Sequence, residues 1–221
     1  MRGAHPRVRG GLAPRGASLL FGLILFAAGI VAILESRLGL SPWDVLNQGL
    51  ARHTPLSFGM ANVAVGLLIL LLAWSLGGTP GIGTVANAVL VGTFIQALTA
   101  LDAVTALSGD GLAVRIPLLL VGVWLIGPAT AFYIGADLGA GPRDTLMLVG
   151  TRRTGVRIGL VRATLEVSAL VVGIVLGGTF GVGTVLFALA IGPVVESSFA
   201  LLGRSPLAHP EPAAVPVVVG E

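Results

Sequence analysis

Six long apolar runs dominate the 221-residue chain and restrict the folds that it can adopt. Each run is about 20 residues long, the length that an α-helix needs to cross the hydrocarbon core of a bilayer. Inside a bilayer the backbone amides must be hydrogen-bonded within the protein, so such runs are expected to be helical. We therefore predict an all-α membrane protein with six transmembrane helices. The predicted spans are residues 17–36, 56–76, 82–101, 116–136, 158–176 and 182–202.

The composition agrees with burial in lipid and excludes several kinds of chemistry. Hydrophobic residues make up 55% of the chain and charged residues 10%, against about 25% charged residues in soluble domains. The chain has no cysteine, and its three histidines lie outside the apolar runs, so neither a metal site nor a cofactor is expected. The net charge of +3 comes from arginines that flank the spans. The expected partner is therefore the lipid bilayer and not a nucleic acid.

The chain repeats itself at an offset of 100 residues without a gap. The segment LGLSPWDVL at 38–46 aligns with LGAGPRDTL at 138–146, and LGGTPGIGTV at 76–85 aligns with LGGTFGVGTV at 176–185. Apolar bias alone does not place proline, aspartate and Gly-Gly-Thr in register, so the pattern indicates a duplication. The predicted organisation is a disordered basic arm (1–16), a first three-span repeat (17–102), a linker (103–116), a second three-span repeat (117–202) and a disordered proline-rich tail (203–221).

Three spans per repeat predict that the two repeats have opposite orientations in the membrane. With a cytoplasmic N-terminus, only Arg37, Arg52 and Arg115 face outward. The arginines that then face the cytoplasm are Arg2, Arg7, Arg9, Arg15, Arg143, Arg152, Arg153, Arg157 and Arg204. The expected location is the bacterial inner membrane, with both termini cytoplasmic. Inverted repeats are typical of secondary transporters, which place their site near mid-membrane between the repeats.

Each repeat also contains a short helix that cannot cross the bilayer. Ser41 is the predicted N-cap, Pro42 the first helical residue, and Asp44 lies near the positive end of the helix dipole. The segment 141–144 repeats this pattern and ends in Asp144. The short helices either lie in the membrane interface or are re-entrant, and the two aspartates either cap helices or line a path.

Ionisable residues inside the predicted spans are costly in hydrocarbon and are therefore candidate functional residues. Arg162 and Glu166 are four residues apart and can pair on one helix face. Glu196 occupies the position of Gln96 in the first repeat, and it is either a proton or cation carrier or an interfacial residue. Glu35, at the end of the first span, is expected to be solvated. The candidate residues of a substrate or ion path are Asp44, Asp144, Arg162, Glu166, Glu196 and Gln96.

Glycine-rich turns join the second and third spans of each repeat, at 77–84 and 177–184. They either allow a tight hairpin between packed helices or expose backbone amides that could bind an anion. Neither turn contains the lysine of a phosphate-binding loop.

The paired LGLSPWD and LGAGPRD segments, the GGTxGxGT turns and the segment from Arg162 to Glu166 resemble the YczE/YyaS/YitT group of bacterial integral membrane proteins, most closely its YczE branch. The resemblance extends from about Ala17 to Leu202. It implies a multi-span inner-membrane protein and no established common substrate. Such proteins are often acidic near the end of each repeat, whereas this chain has Gln96 in the first repeat and Glu196 in the second. This difference argues against a symmetric two-carboxylate mechanism.

Three functions remain open at this point, and a permease of a small solute or ion is favoured, with its site at the interface of the inverted repeats. The alternative is a non-transporting membrane partner that supports the assembly or regulation of an export or biosynthetic complex. A lipid-modifying enzyme would need a polar cluster open to one membrane face, and no sequence motif indicates one, so no enzymatic activity is predicted. Homo-oligomerisation and a membrane protein partner both stay open.

Overall fold

The computed structural model describes residues 6–109 and 111–208, and these residues form a helical bundle. Six of the helices are long and apolar enough to cross a membrane, which confirms the predicted spans to within a few residues. The helices are α1 (Leu12–Ser36), α2 (Pro42–His53), α3 (Phe58–Ser75), α4 (Ile82–Thr99), α5 (Asp102–Thr105), α6 (Leu112–Gly135), α7 (Pro142–Thr154), α8 (Ile158–Val175) and α9 (Val182–Arg204), and a 3₁₀ turn at Ala106–Gly109 follows α5.

The helices repeat with the same offset as the sequence. Helices α1, α2, α3 and α4 begin at residues 12, 42, 58 and 82, and α6, α7, α8 and α9 begin at 112, 142, 158 and 182. Each start is therefore displaced by 100 residues from that of its counterpart. The duplication inferred from the residues thus extends to the order and the positions of the helices.

The ends of the bundle are more ordered than the sequence predicts. Helix α1 begins at Leu12, ahead of the predicted start at residue 17, and the backbone amide of Val8 donates to the carbonyl of Gly135 at 2.8 Å. At the other end, α9 continues to Arg204, and Ala208 forms a β-bridge with Val8. The start of α1 and the contacts of Val8 and Ala208 thus lie within the segments that the sequence predicts as a disordered arm and tail. Residues 1–5 and 209–221 lie outside the described residues.

Helices α1 and α6 pack against each other at the centre of the bundle with their backbones close together. A Cβ atom on Gly22 would lie 2.7 Å from the amide nitrogen of Tyr133 and 2.9 Å from the carbonyl oxygen of Ala129. A Cβ atom on Gly122 would lie 2.7 Å from the carbonyl oxygen of Gly29. Small residues commonly mediate such close approach between membrane helices.

Two arginines cover the C-terminal ends of these central helices. Arg115, near the start of α6, donates from Nε to the carbonyl of Ser36 at 2.7 Å, and its counterpart Arg15 donates from Nε to the carbonyl of Ala136 at 2.7 Å. The last carbonyls of a helix have no partner within the helix, and a guanidinium is well suited to them. The contacts between the two halves of the chain are thus reciprocal.

The glycine-rich turns have the geometry of tight helix ends. Gly77 and Gly177 have φ values of +86° and +75° and follow α3 and α8. This left-handed conformation is readily adopted by glycine and is common just after a helix. The amides at the starts of the next helices are already bonded, because Gly83 donates to the carbonyl of Leu138 at 2.8 Å and Gly183 to that of Leu38 at 2.7 Å. These bonds favour a packing role over anion binding.

Candidate functional site

The N-terminal ends of the two short helices, α2 and α7, meet inside the bundle. Both helices have proline in their first turn, as predicted, and Ser41 caps α2 by accepting a hydrogen bond from the amide of Asp44 at 3.3 Å. The guanidinium carbon of Arg143 lies 5.0 Å from the ring centroid of Trp43. Residues 43 and 143 are counterparts in the duplication, so this contact joins equivalent points of the two halves.

Asp44 is almost completely buried, with 2% of its surface exposed. Ser41 Oγ donates a short hydrogen bond to one carboxylate oxygen, and Asn47 Nδ2 donates to the other at 3.3 Å. Asn47 is itself fully buried, and its Oδ1 has no hydrogen-bond partner among the described residues. Buried polar groups normally have partners, and this amide oxygen is one of three exceptions among the described residues, with Asn62 Nδ2 and Thr151 Oγ1.

In the second half a tyrosine supplies the hydroxyl that serine supplies in the first. Position 141 is glycine, and the hydroxyl of Tyr133 donates to Asp144 Oδ2 at 2.8 Å. A Cβ atom on Gly141 would lie 3.4 Å from this hydroxyl, from Asp144 Oδ2 and from Asn87 Oδ1. Three side-chain oxygens therefore converge at the start of α7.

Arg143 is the positive charge that the two aspartates share. It is partly buried, and the negative charges of Asp44, Asp144 and Glu166 all favour its protonated form. Its position over Trp43 adds a cation–π contact. We call Trp43, Asp44, Tyr133, Arg143 and Asp144 the central cluster. Two aspartates and one arginine give this cluster a negative formal charge.

The predicted ion pair on α8 is present and flanks the central cluster. Arg162 Nε lies 2.9 Å from Glu166 Oε1, and the two side chains are 55% and 36% exposed. Glu166 acts electrostatically on Arg143, and Arg162 acts on Tyr133. Four of the six candidate residues, Asp44, Asp144, Arg162 and Glu166, therefore lie in one electrostatic neighbourhood.

Gln96 and Glu196 lie apart from this neighbourhood. Ser57 Oγ donates a short hydrogen bond to Gln96 Oε1, which joins α3 to α4. Glu196 is exposed on α9, and within the described part of the chain it has no ion-pair or hydrogen-bond partner. The structure therefore does not bring these two residues to the central cluster.

A separate polar cavity of about 470 Å³ opens where α1 and α2 meet the turn between α8 and α9. Its lining includes Arg37, Gln48, Arg52 and Glu35, and no residue of the central cluster. Glu35 is only 8% exposed, and Ser108, whose hydroxyl donates to the carbonyl of Thr105 at 2.9 Å, lies close enough to act on its carboxylate. The expectation that Glu35 is solvated is wrong, because the 3₁₀ turn after α5 covers it.

The sequence interpretation missed Arg143 and Tyr133 as members of the site. Arg143 is predicted only to face the cytoplasm, although a charged residue in place of Trp43, between the matching proline and aspartate of the two repeats, is a signal of a special position. Tyr133 is the single tyrosine of the chain and lies within a predicted span, where an isolated hydroxyl needs a partner. Both signals identify a polar position, but neither identifies the partner.

We expect Asp44→Asn to stabilise the protein at neutral pH and to have less effect in acid. Burial raises the pKa of Asp44 above its ordinary value, while Arg143, Ser41 and Asn47 oppose the shift. A raised folded-state pKa means that the favourable contribution is complete below the unfolded pKa of about 3.9 and is lost as the pH rises through the folded value. Ser41 can accept a hydrogen bond from the new amide. Melting temperatures of both proteins from pH 4 to pH 8 test this, and identical pH profiles would contradict it.

Six apolar helices with charged groups buried between them define a multi-pass α-helical membrane protein. Residues 14–198 match DUF6198, described as a family of unknown function, and the chain belongs to this family. An uncharacterised protein of Haemophilus influenzae is 37% identical over 85% of this chain and 84% of its own length.

Two relatives from Bacillus subtilis confirm the resemblance inferred from the sequence motifs. The uncharacterised membrane protein YczE is 36% identical over 80% of this chain and 81% of its own length. The uncharacterised protein YyaS is 25% identical over 80% of this chain and 92% of its own length. No solved structure matches this chain.

Proposed function

We propose that this protein is a permease of a small solute or ion in the bacterial inner membrane, with both termini cytoplasmic, and that it has no enzymatic activity. In this proposal the two halves are inverted repeats, α2 and α7 are re-entrant from opposite sides, and the substrate binds at the central cluster between them. The observation that carries the proposal is the contact of Arg143 with Trp43, because it joins the ends of the two short helices around shared charges.

The reciprocal contacts support an inverted arrangement. Gly83 donates to Leu138, and its counterpart Gly183 donates to Leu38, the counterpart of Leu138. Each half therefore makes the same bond to the other, as an approximate two-fold axis requires. Three spans per half place such an axis in the membrane plane, which is the arrangement found in many secondary transporters. Transporters of this kind use the ends of discontinuous helices to bind substrate near the midplane.

The chemistry of the central cluster supports binding of a polar or charged substrate. Asp44 and Asp144 offer carboxylate oxygens, Arg143 offers a guanidinium, and Asn47 has an unsatisfied amide oxygen. In a low-dielectric environment such groups bind a complementary ligand strongly, because the alternative is an uncompensated buried charge. Substrate binding by these groups would explain why charged side chains, which are costly between membrane helices, are present there.

A thermal-shift screen of the purified protein in detergent tests this proposal. The screen covers ions, amino acids, sugars, peptides and cationic compounds at several pH values, on the wild type, Asp144→Asn and Asp102→Asn. A ligand at about 100 times its dissociation constant adds roughly 2.7 kcal/mol, which is a rise of about 5 to 10 °C in melting temperature for a chain of this size.

The expected result is a compound that stabilises the wild type and Asp102→Asn but not Asp144→Asn. Asp102 is exposed on α5 and serves as the matched carboxylate control. A hit is then tested for uptake into vesicles that contain the protein. Absence of both a thermal shift and uptake for folded protein would favour a non-transporting membrane partner, and co-purification would then identify its complex.

A further inference from the structure

Helix pairs α3/α4 and α8/α9 are counterparts, yet only the first pair is packed together. A Cβ atom on Gly59 would lie 2.5 Å from the carbonyl oxygen of Gly92, and one on Gly66 would lie 3.3 Å from that of Ala88. In the second half no atom of the described chain lies within 4 Å of a Cβ atom built on Gly159 or Gly192. The glycine contact that holds α3 against α4 is therefore absent between α8 and α9 in the described chain.

The residues at the N-terminal end of α3 and on the facing part of α4 differ from their counterparts in α8 and α9, and the difference fits this asymmetry. In the first pair Ser57 is hydrogen-bonded to Gln96. Their counterparts are Arg157 and Glu196, which carry opposite charges, are both exposed, and form no ion pair within the described residues. Two complementary charges thus stand at positions that meet in the packed pair and are separated in the open one.

We propose that α8 closes onto α9 in a second conformation, in which Gly159 packs against Gly192 and Arg157 forms an ion pair with Glu196. The proposal rests on the permease function proposed above, because this closure would shut one access route to the central cluster. Gly192 lies in the middle of α9, where a glycine is unfavourable unless a close backbone contact uses it, and the open pair makes no such contact. The packed α3/α4 pair shows which helix faces meet in the closed state, and Glu166 in place of Gly66 makes the second pair less tight at that level.

Closure of α8 onto α9 would also affect the central cluster, through Glu166. Glu166 is the counterpart of Gly66, which packs against the backbone of α4, and its position therefore faces α9 when the second pair closes. Its carboxylate is bonded to Arg162 and acts on Arg143. Closure would bury this carboxylate, and burying a charge is costly unless the charge is compensated. Closure is therefore favoured when a bound substrate balances the charges around the central cluster.

Cross-linking tests closure directly, because the natural chain has no cysteine and any reactive thiol is an introduced one. The double variant Arg157→Cys with Glu196→Cys is treated with a short bifunctional methanethiosulfonate reagent in detergent and in vesicles. The expected result is an intramolecular cross-link, detected by mass spectrometry of a digest. Ser57→Cys with Gln96→Cys is the positive control, since these positions already face each other.

A bulky residue in the glycine contact distinguishes closure from random encounter of the two cysteines. Adding Gly192→Leu is expected to reduce the rate of cross-linking at least tenfold without lowering the melting temperature, because the open pair leaves space around this residue. Adding Ser197→Leu is expected to leave the rate unchanged. Its counterpart Ala97 stays exposed although the first pair is packed.

The ion pair is tested with a reporter at Ala163→Cys, which is exposed now and whose counterpart Val63 packs against Gly92. Glu196→Gln is expected to increase maleimide labelling of the reporter about two- to five-fold, the range of an exposed ion pair. The charge exchange Arg157→Glu with Glu196→Arg is expected to restore slow labelling.

Failure to cross-link positions 157 and 196 while the control pair reacts would overturn the proposal, as would equal rates with Gly192→Leu and Ser197→Leu. Neither result would contradict the proposed substrate site, provided that a ligand still raised the melting temperature of the wild type but not that of Asp144→Asn. Cross-linking in a protein that binds no compound and takes none up would support the gate and contradict the permease function.

Discussion

Replacing Gly22 with leucine is expected to prevent the two central helices from packing and to destabilise the protein by about 3 kcal/mol or more. The new Cβ atom would lie 2.7 Å from the amide nitrogen of Tyr133 and 2.9 Å from the carbonyl oxygen of Ala129. These neighbours are backbone atoms, so a change of side-chain rotamer cannot relieve the clash. Leucine is a better helix former than glycine, and a loss of stability must therefore come from packing between α1 and α6.

Gly16→Leu is the matched control on the same helix, because no atom of the described chain lies within 4 Å of a Cβ atom at that position. Size-exclusion chromatography and thermal unfolding in the same detergent compare the two variants. We expect Gly16→Leu to behave as the wild type and Gly22→Leu to elute as aggregate or to melt well below it. Equal melting temperatures for both variants would show that α1 and α6 do not pack as described.

The number, the length and the duplication of the spans could be predicted because each leaves a repeating pattern in the sequence. A run of about 20 apolar residues has few alternatives to a membrane helix, and an ungapped offset preserves register at every position. The predicted start of α8 at Ile158 therefore agrees with the structure. The start of α1 was placed too late, because the basic segment before it resembles a disordered arm in composition.

The contacts between helices could not be predicted, because a helix that is apolar on all sides does not reveal which side faces protein and which faces lipid. The pairing of α1 with α6 depends on glycine positions that are also compatible with lipid exposure. The burial of Glu35 depends on a 3₁₀ turn more than 70 residues away, which no local pattern indicates.

The candidate site was predicted only in part, for a related reason. Asp44 and Asp144 were recognised because they recur at the same place in both repeats. Arg143 breaks the repeat, so the duplication argument did not select it, although it is the charge that connects the two aspartates. The pair of Arg162 and Glu166 was predicted from helical spacing and is present. The difference between Gln96 and Glu196 was noted, but its connection with a packed and an open helix pair needed coordinates.

Replacing Arg143 with alanine is expected to destabilise the protein by roughly 1 to 3 kcal/mol, the usual range for a point substitution that leaves a buried carboxylate without a nearby positive charge. The two aspartates would lose their shared counter-charge, and Trp43 would lose its cation–π partner. Arg152→Ala is the control, since Arg152 is an exposed arginine near the end of the same helix. Thermal unfolding of the two variants at neutral pH measures the difference, and equal melting temperatures would exclude a structural role for the Arg143 charge.

A second substitution separates the charge of Arg143 from the volume of its side chain. If the loss arises from an uncompensated carboxylate, Asp44→Asn in the Arg143→Ala protein should recover a large part of the stability, and the two effects should be strongly non-additive. If the loss arises from an empty volume over Trp43, Asp44→Asn should recover none of it, whereas Arg143→Met should recover most of it. The double variant also separates folding from binding. If it is stable but no ligand raises its melting temperature, these charges have a role in binding that is distinct from their role in folding, because the protein would then be folded but unable to bind substrate.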